Sequence, residues 1–135
     1  MKYRANMIRS QTAIHKYVDE AWEPLLQTPP FPEYTSAHSV ISTAAATVLT
    51  DIYGPSFAFS DSSEMSYGLT ARSFPSFKTA AAEAAISRLY GGIPYRQAME
   101  DGGKQGRKVC ELVVAGVKTG AAAALGSLAV TCDGG

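Results

Sequence analysis

Three short stretches of the chain carry side chains whose chemistry suits a tetrahedral oxyanion. In chain order they contribute Lys2 and Arg9, then Ser36, Ala37 and His38, and finally Arg88. The basic side chains supply positive charge and hydrogen-bond donors. If a helix begins at Ser36, its first backbone N–H groups and the positive end of its dipole favour the same anion. His38 is the candidate proton donor, because its imidazole titrates near neutral pH.

Each of these residues also has a purely structural interpretation. Arg88 near the end of a helix is a charge that the helix dipole favours, and Ser36 is an ordinary N-cap. His38 in a first helical turn is a partly buried, hydrogen-bonded residue, while Lys2 and Arg9 are solvated surface. The oxyanion hypothesis therefore depends on the whole set and its order along the chain.

The elements that must position these residues are helices. Alanine is the commonest residue, and long alternating runs of Val, Ile and Thr are missing. Apolar spacing predicts helices over Ser39–Tyr53, Ser76–Tyr90 and Pro94–Lys118, with no sheet of three or more strands. Residues 1–21 show a weaker helical stripe. Three glycines inside the third helix, at positions 102, 103 and 106, predict either a closely packed neighbouring backbone or a break.

The connections between the predicted helices differ in composition. Residues 22–32 contain four prolines and must form an extended loop, whereas residues 56–75 predict an ordered surface loop. Five aromatic residues in or next to the second region are expected to pack beneath it, with a halide or organic-substrate pocket as the alternative; they are Phe57, Phe59, Tyr67, Phe74 and Phe77. The acidic run Ser60–Glu64 fits no calcium-binding loop and indicates a solvated segment.

Composition narrows the function classes. The 135 residues suit one domain, and 12 basic against 12 acidic residues argue against general nucleic-acid binding. No apolar stretch reaches the length of a membrane span, and no signal peptide is visible, so the compartment is left open. Cys110 and Cys132 form no C-x-x-C pair; one disulfide and two reduced thiols are both compatible with their spacing.

The three stretches together resemble the signature of the type 2 phosphatidic acid phosphatase and vanadium haloperoxidase superfamily. That signature reads K-x6-R-P, then P-S-G-H, then S-R-x5-H. Here its parts are found at Lys2–Ser10, Thr35–His38 and Ser87–Pro94, in the same order. The proline-rich segment 22–34 and the segment 87–93 are similar to the haloperoxidase-like branch.

The resemblance implies a role for each matching position. Lys2, Arg9 and Arg88 match the residues that clasp phosphate or vanadate. Ser36 and the backbone N–H of Ala37 match the oxygen contacts of the second motif. The histidine of that motif, here His38, is the general acid of the family or assists peroxide in its haloperoxidases. Vanadate is the cofactor that the resemblance allows, and phosphate or a vanadate-like anion is the expected ligand.

Several positions depart from the family pattern, and Pro94 matters most among them. Pro94 replaces the histidine that attacks phosphorus or ligates vanadium, and proline offers neither a nucleophile nor a metal ligand. Ser10 stands in place of a proline, Ala37 in place of a glycine, and Ala98 in place of an acidic residue common in the family. The expected metal-ligand set is therefore empty.

These observations predict an all-α helical bundle, the C-terminal catalytic half of a phosphatase- or haloperoxidase-like domain. Residues 1–118 would form this domain, incomplete at its N-terminus, and residues 119–135 an Ala/Gly-rich tail. The predicted function is that of an acid phosphatase or vanadium haloperoxidase-like protein impaired at Pro94. The alternative is a catalytically inactive oxyanion-binding or self-assembling structural subunit. A homo-oligomer, or a bundle completed by upstream helices, is expected in either case.

Overall fold

The computed structural model describes residues 8–117, and that part of the chain is mainly helical. Its elements are α1 (Ser10–Tyr17), α2 (Ala37–Tyr53), β1 (Phe59–Asp61), β2 (Arg72–Phe74), α3 (Phe77–Tyr90) and α4 (Arg96–Gly116). The two strands form an antiparallel ribbon between α2 and α3, and among residues 8–117 no larger sheet occurs. The prediction of an all-α helical bundle is confirmed. Lys2, Cys132 and the predicted tail lie outside the described residues.

Serine caps and glycine stops explain where α2 and α3 begin and end. The side chain of Ser36 accepts a hydrogen bond from the backbone N–H of Ser39, and Ser76 does the same at the start of α3. Gly54, with a φ of +93°, ends α2 in a conformation that few other residues adopt. Both helices therefore start within two residues of their predicted positions.

Helix α4 begins two residues later than predicted. Pro94 was expected in its first turn, but Tyr95 has an extended backbone and is the N-cap, so that Arg96 is the first helical residue. The hydroxyl of Tyr95 donates a hydrogen bond to the carbonyl of Ile8 (3.0 Å), which holds this residue outside the helix.

The glycines of α4 allow a close approach to α2 and do not break the helix. A Cβ atom added to Gly102 would lie 2.8 Å from the carbonyl oxygen of Ser36, and one added to Gly106 would collide with the backbone of Val40. The third glycine, Gly103, faces only the hydroxyl of Thr43 at 3.6 Å. Two of the three glycines therefore bring the backbone of α4 against the first turns of α2.

An aromatic cluster packs between the ribbon, the end of α2 and the start of α3. Its rings belong to Tyr53, Phe57, Phe59, Phe74 and Phe77, with neighbouring centroids 5.1–6.0 Å apart. The packing expected of these phenylalanines is thus observed. Tyr67 does not take part, because 81% of it is exposed.

The C-terminal half of α4 carries a stripe of exposed apolar side chains. Its members are Val109, Leu112 and Val113, and the exposed Val117 follows directly after the last helical residue. Their spacing places them on one side of the helix.

No helix in the part of the chain that the structure describes is long and apolar enough to span a membrane.

Candidate oxyanion site

A cavity of about 150 Å³ opens where the start of α2, the end of α3 and the turn before α4 meet the proline-rich loop. Its lining residues are Gln27, Pro29, Phe31, Pro32, Glu33, Ser36, Ala37, His38, Arg88, Ile93 and Pro94. Four of the predicted site residues, Ser36, Ala37, His38 and Arg88, therefore share one cavity with Pro94. A single water needs only about 10–15 Å³ of such space, so the cavity has room for a small anion.

The start of α2 is held against α4 by three hydrogen bonds. They run from the backbone N–H of Ser36 to the carbonyl of Ala98 (3.0 Å), from the hydroxyl of Tyr34 to Asp101 Oδ2 (2.9 Å), and from the hydroxyl of Thr35 to Gln105 Oε1 (2.8 Å). The hydrogen bond and the nearby charge of Asp101, together with burial, raise the pKa of Tyr34. The three acceptors belong to one face of α4, which also carries the close-packed glycines. Ala98 thus contributes its backbone carbonyl at a position where many family members have an acidic side chain.

Arg88 and His38 are in direct contact across the cavity. Arg88 Nη2 lies 2.7 Å from His38 Nε2. Because a guanidinium can only donate, Nε2 accepts the hydrogen bond and the ring proton is on Nδ1. Partial burial and then the positive charge of Arg88 lower the pKa of His38 from its ordinary value of 6.5. His38 is accordingly neutral at pH 7 when the cavity holds no anion.

The guanidinium of Arg88 retains donor capacity beyond this contact. Among residues 8–117, its Nε atom is buried and has no hydrogen-bond partner. A buried donor without a partner is costly, so an acceptor bound within its reach would be stabilised by it. An anion is the acceptor that best matches a guanidinium.

Arg9 contacts the residues that line the cavity but is not itself a lining residue. Its guanidinium donates to the carbonyls of Pro29 (2.8 Å) and Phe31 (3.0 Å), and Nη1 lies 3.8 Å from Glu33 Oε1. Arg9 therefore holds the proline-rich loop in place. Its predicted contact with an oxyanion stays a prediction, as does that of Lys2.

Glu33 lines the cavity, although it is not among the residues predicted for the site. Its side chain is only 2% exposed. Burial and then the negative charge of Glu33 raise the pKa of Tyr95. A carboxylate within a loop of prolines, three residues before a serine N-cap, was the only signal in the sequence that could have indicated this residue.

The turn that carries Pro94 is braced by the first helix. Ser10 Oγ lies 2.6 Å from the carbonyl oxygen of Ile93 and 3.1 Å from that of Gly92. Gly92 has a φ of +81°, and a Cβ atom there would collide with Trp22. Pro94 itself is buried in the cavity wall. Ser10, which stands in place of the proline of the family motif, thus positions the turn in which Pro94 stands in place of the family histidine.

Other candidate groups are placed elsewhere. His15 bonds to the carbonyl of Trp22 and does not line the cavity. Asp61 accepts hydrogen bonds from the backbone and hydroxyl of Ser63, which lowers its pKa, as expected of a solvated turn. Between residues 8 and 117 no group of three or more His, Cys, Asp or Glu residues could hold a metal ion.

A second, more open cavity of about 370 Å³ lies between α2, α3 and the ribbon. Phe59, Phe74 and Phe77 line it, and the ion pair of Arg72 with Glu83 stands at its polar side. Of the predicted oxyanion residues that the structure describes, none lines it. This cavity has room for the organic substrate considered as an alternative beneath the loop. Its lining does not include the arginine and histidine predicted to hold an oxyanion, Arg88 and His38.

Comparisons with known proteins agree with this geometry. Residues 1–121 match the model of the family described as the VCPO second helical-bundle domain. Among solved structures, the chain is similar to a bacterial vanadium-dependent iodoperoxidase, with 58% sequence identity and a TM-score of 0.79. The match covers 87% of this chain but only 28% of the iodoperoxidase. A comparison with proteins of curated function finds no match.

Proposed function

Because this chain belongs to the family of VCPO second helical-bundle domains, and with it to the vanadium haloperoxidase superfamily, we propose that its cavity binds a tetrahedral oxyanion without turning over a substrate. The observation that carries the proposal is the meeting of Ser36, Ala37, His38 and Arg88 with Pro94 in one cavity. The serine, alanine, histidine and arginine supply positive charge and hydrogen-bond donors, and Pro94 replaces the reactive histidine of the family.

Each donor has a defined part in holding the anion. Arg88 offers its buried Nε and the remaining N–H groups of its guanidinium. The backbone N–H groups of Ala37 and His38 lie in the first turn of α2, where helix geometry leaves them without an intrahelical partner. The hydroxyl of Ser36 accepts from Ser39 and keeps its own proton to donate.

Vanadate fits this cavity as an oxyanion but not as a metal centre. Its oxygens meet the same donors as those of phosphate, including the unpartnered Nε of Arg88. Vanadate supplies peroxide activation when a histidine ligates the vanadium, but the ring nitrogen of Pro94 is part of a peptide bond and has no lone pair to give. Covalent phosphoryl transfer fails for the same reason, because it needs a nucleophile at this position.

His38 couples anion binding to proton uptake. After burial, the positive charge of Arg88 helps to keep the imidazole of His38 neutral. An anion bound beside the two side chains offsets that charge and can accept the proton of an imidazolium Nε2, which then no longer accepts from Arg88, so the anion raises the pKa of His38. The bound anion is thus held together with a proton on the histidine.

The proposal is tested by calorimetric titration of the parent protein with phosphate and with vanadate. Arg88→Ala should weaken both affinities by tenfold or more, since each charge-assisted hydrogen bond is worth about 1.5–3 kcal/mol. Arg96→Ala, which removes an exposed arginine at the start of α4, is the matched control and should bind like the parent. The binding proposal is contradicted if Arg88→Ala binds both anions as tightly as the parent. The absence of turnover is contradicted if the parent oxidises bromide or hydrolyses a phosphoester and Arg88→Ala abolishes that activity.

Restoring the family histidine tests the second half of the proposal. Pro94→His adds a ligand that bonds to vanadium and not to phosphorus at equilibrium. We expect the variant to bind vanadate more tightly than the parent and phosphate equally well. An unchanged ratio of the two affinities would show that residue 94 does not face the anion.

Self-association is a second function that one observation favours. The apolar stripe of α4 is exposed in the monomer, and Leu112 within it is 75% exposed. Continuous exposed apolar surface commonly marks a protein–protein contact. We propose that this stripe packs against a second copy of the chain.

A further inference from the structure

The second cavity, of about 370 Å³, is built by one face each of α2, α3 and the ribbon. Its helical side is an alanine floor, formed by Ala45, Ala46, Ala80, Ala81 and Ala84. Residues three or four positions apart share one face of a helix, so each helix presents its alanines to the cavity. Methyl groups leave unfilled the space that larger side chains would occupy. The volume left is within the range of small-molecule sites, about 300–1,000 Å³.

The ribbon faces this floor with two layers of side chains. In the antiparallel register Phe59 stands opposite Phe74. Two positions along the strands, Asp61 stands opposite Arg72. Side chains two residues apart in a strand point to the same face, and all four of these residues line the cavity. The cavity therefore has an aromatic layer and, next to it, a charged layer.

The charged layer carries more negative than positive charge. Glu83 of α3 lines the cavity and forms an ion pair with Arg72. In the described part of the chain, Asp61 forms no ion pair, and its two hydrogen bonds, both from Ser63, end on Oδ1. These hydrogen bonds, and then the charge of Arg72, lower the pKa of Asp61, which is therefore ionised at pH 7. One arginine thus faces two carboxylates, and Oδ2 of Asp61 is open to a cation.

We propose that this cavity binds small organic amines in their ammonium form, with an apolar body about the size of one aromatic ring. The body lies on the alanine floor beside the aromatic layer, and the ammonium group donates to Asp61. Aromatic rings attract cations, and Arg72 already lies over the ring of Phe74, 5.7 Å from its centroid. A ligand with a carboxylate in place of the ammonium meets like charge. The site is independent of the oxyanion cavity.

Three probes of similar shape separate the contribution of charge from that of apolar burial: phenethylamine, phenethyl alcohol and phenylpropanoate. NMR chemical-shift titrations of the parent chain at pH 7 measure the three affinities and identify the residues that respond. We expect the amine to bind more tightly than the alcohol by a factor of about three, as for an ion pair open to solvent. The carboxylate should bind more weakly than either. The shifted signals should include Ala81 and Ala84.

Two pairs of variants test the charge and the floor. Asp61→Asn keeps an oxygen that accepts from Ser63 and removes the charge, so the amine and the alcohol should bind equally. Asp51→Asn, at an exposed position of α2 outside the cavity, is the matched control and should keep the preference. Ala84→Leu fills the floor and should weaken every probe. Ala82→Leu adds the same side chain at an exposed position of α3 that does not line this cavity, and it should not.

Equal binding of the amine and the alcohol by the parent, or a preference that survives in Asp61→Asn, overturns the proposal. So does a parent chain that binds no probe, or one whose shifts leave out Ala81 and Ala84. A second copy of the chain covering the floor gives another pattern: no probe binds, and Ala84→Leu shifts sedimentation toward the monomer. Circular dichroism melts show whether Ala84→Leu is folded. If it is not, Asp61→Asn decides alone, because it changes an exposed side chain.

Discussion

The contact between Arg88 and His38 favours the neutral form of the histidine. Burial and the neighbouring guanidinium together lower the pKa of the histidine. In an NMR titration of the ring protons, the parent His38 should titrate below pH 6.5. Arg88→Ala should move the pKa upward but not fully to 6.5, because burial is the larger cause and remains.

Bound phosphate should change the pKa of His38 in the same direction as the loss of Arg88 does, which is upward. At saturating phosphate we expect the pKa of His38 in the parent to rise, because the anion favours the imidazolium. The ring signals of His15, which bonds to the carbonyl of Trp22 outside the cavity, are the internal reference and should not move when phosphate is added at constant pH. A pKa of His38 that is the same with and without phosphate would show that the anion does not reach the histidine.

The same residue makes stability depend on pH. The unfolded chain binds the histidine proton more readily than the folded one, so acid favours unfolding. The contribution of His38 is therefore fully present above the unfolded pKa of 6.5 and is lost as the pH falls below it. Between pH 7.5 and 5.5, thermal melts of the parent should show a larger drop in Tm than those of His38→Gln. An equal drop in both proteins would rule out this linkage.

At the scale of elements, the packing of α4 on α2 depends on two glycines whose neighbours are backbone atoms. Gly106→Ala places a methyl group against the backbone of Val40, which cannot rotate away as a side chain does. We expect a loss of about 1–3 kcal/mol in the free energy of unfolding, as for other overpacked sites. Denaturant titration measures it.

Gly103→Ala is the matched control, because it lies on the same helix next to open space and the Thr43 hydroxyl. Alanine is the better helix former by about 1 kcal/mol, so this variant should be as stable as the parent or more stable. Equal destabilisation by both substitutions would mean that flexibility, not close packing, is the reason for the glycines.

These elements show what the sequence could predict and what it could not. Apolar spacing with serine caps was enough to place α2 and α3. Whether the glycines of α4 marked a break or a contact depended on the distance to a second helix, which no local pattern contains. The ribbon of β1 and β2 was missed, because three-residue strands are too short to show an alternation.

For the site, the order of the motifs was enough to group His38 with Arg88. The partners of Arg9 could not be inferred from the sequence, because they are backbone carbonyls of a loop about 20 residues away. Glu33 was overlooked for a related reason. Its significance comes from burial beside a cavity, and the sequence around it gives no periodic pattern from which burial could be read.

At the scale of the whole molecule, the exposed stripe of α4 predicts self-association. Sedimentation at micromolar concentration should show a dimer or a larger species of the parent chain. Leu112→Lys places a charge in the stripe and should shift the distribution toward the monomer. Gln97→Lys adds the same charge at an exposed position on the opposite end of α4 and should not. A parent chain that is monomeric and stable would contradict the proposal.

The bracing of the Pro94 turn by Ser10 has a kinetic consequence. The hydroxyl of Ser10 contacts carbonyls that are 82 and 83 positions away in the chain. The backbone hydrogen bonds of a helix join residues that are only four positions apart. Helices form within about a microsecond, but contacts of such long range come only after the intervening chain has been brought together. Removing a contact that forms after the transition state speeds unfolding and leaves refolding unchanged. In stopped-flow measurements, Ser10→Ala should therefore unfold roughly fivefold faster, as expected for a hydrogen bond worth about 1 kcal/mol, and refold at the parental rate.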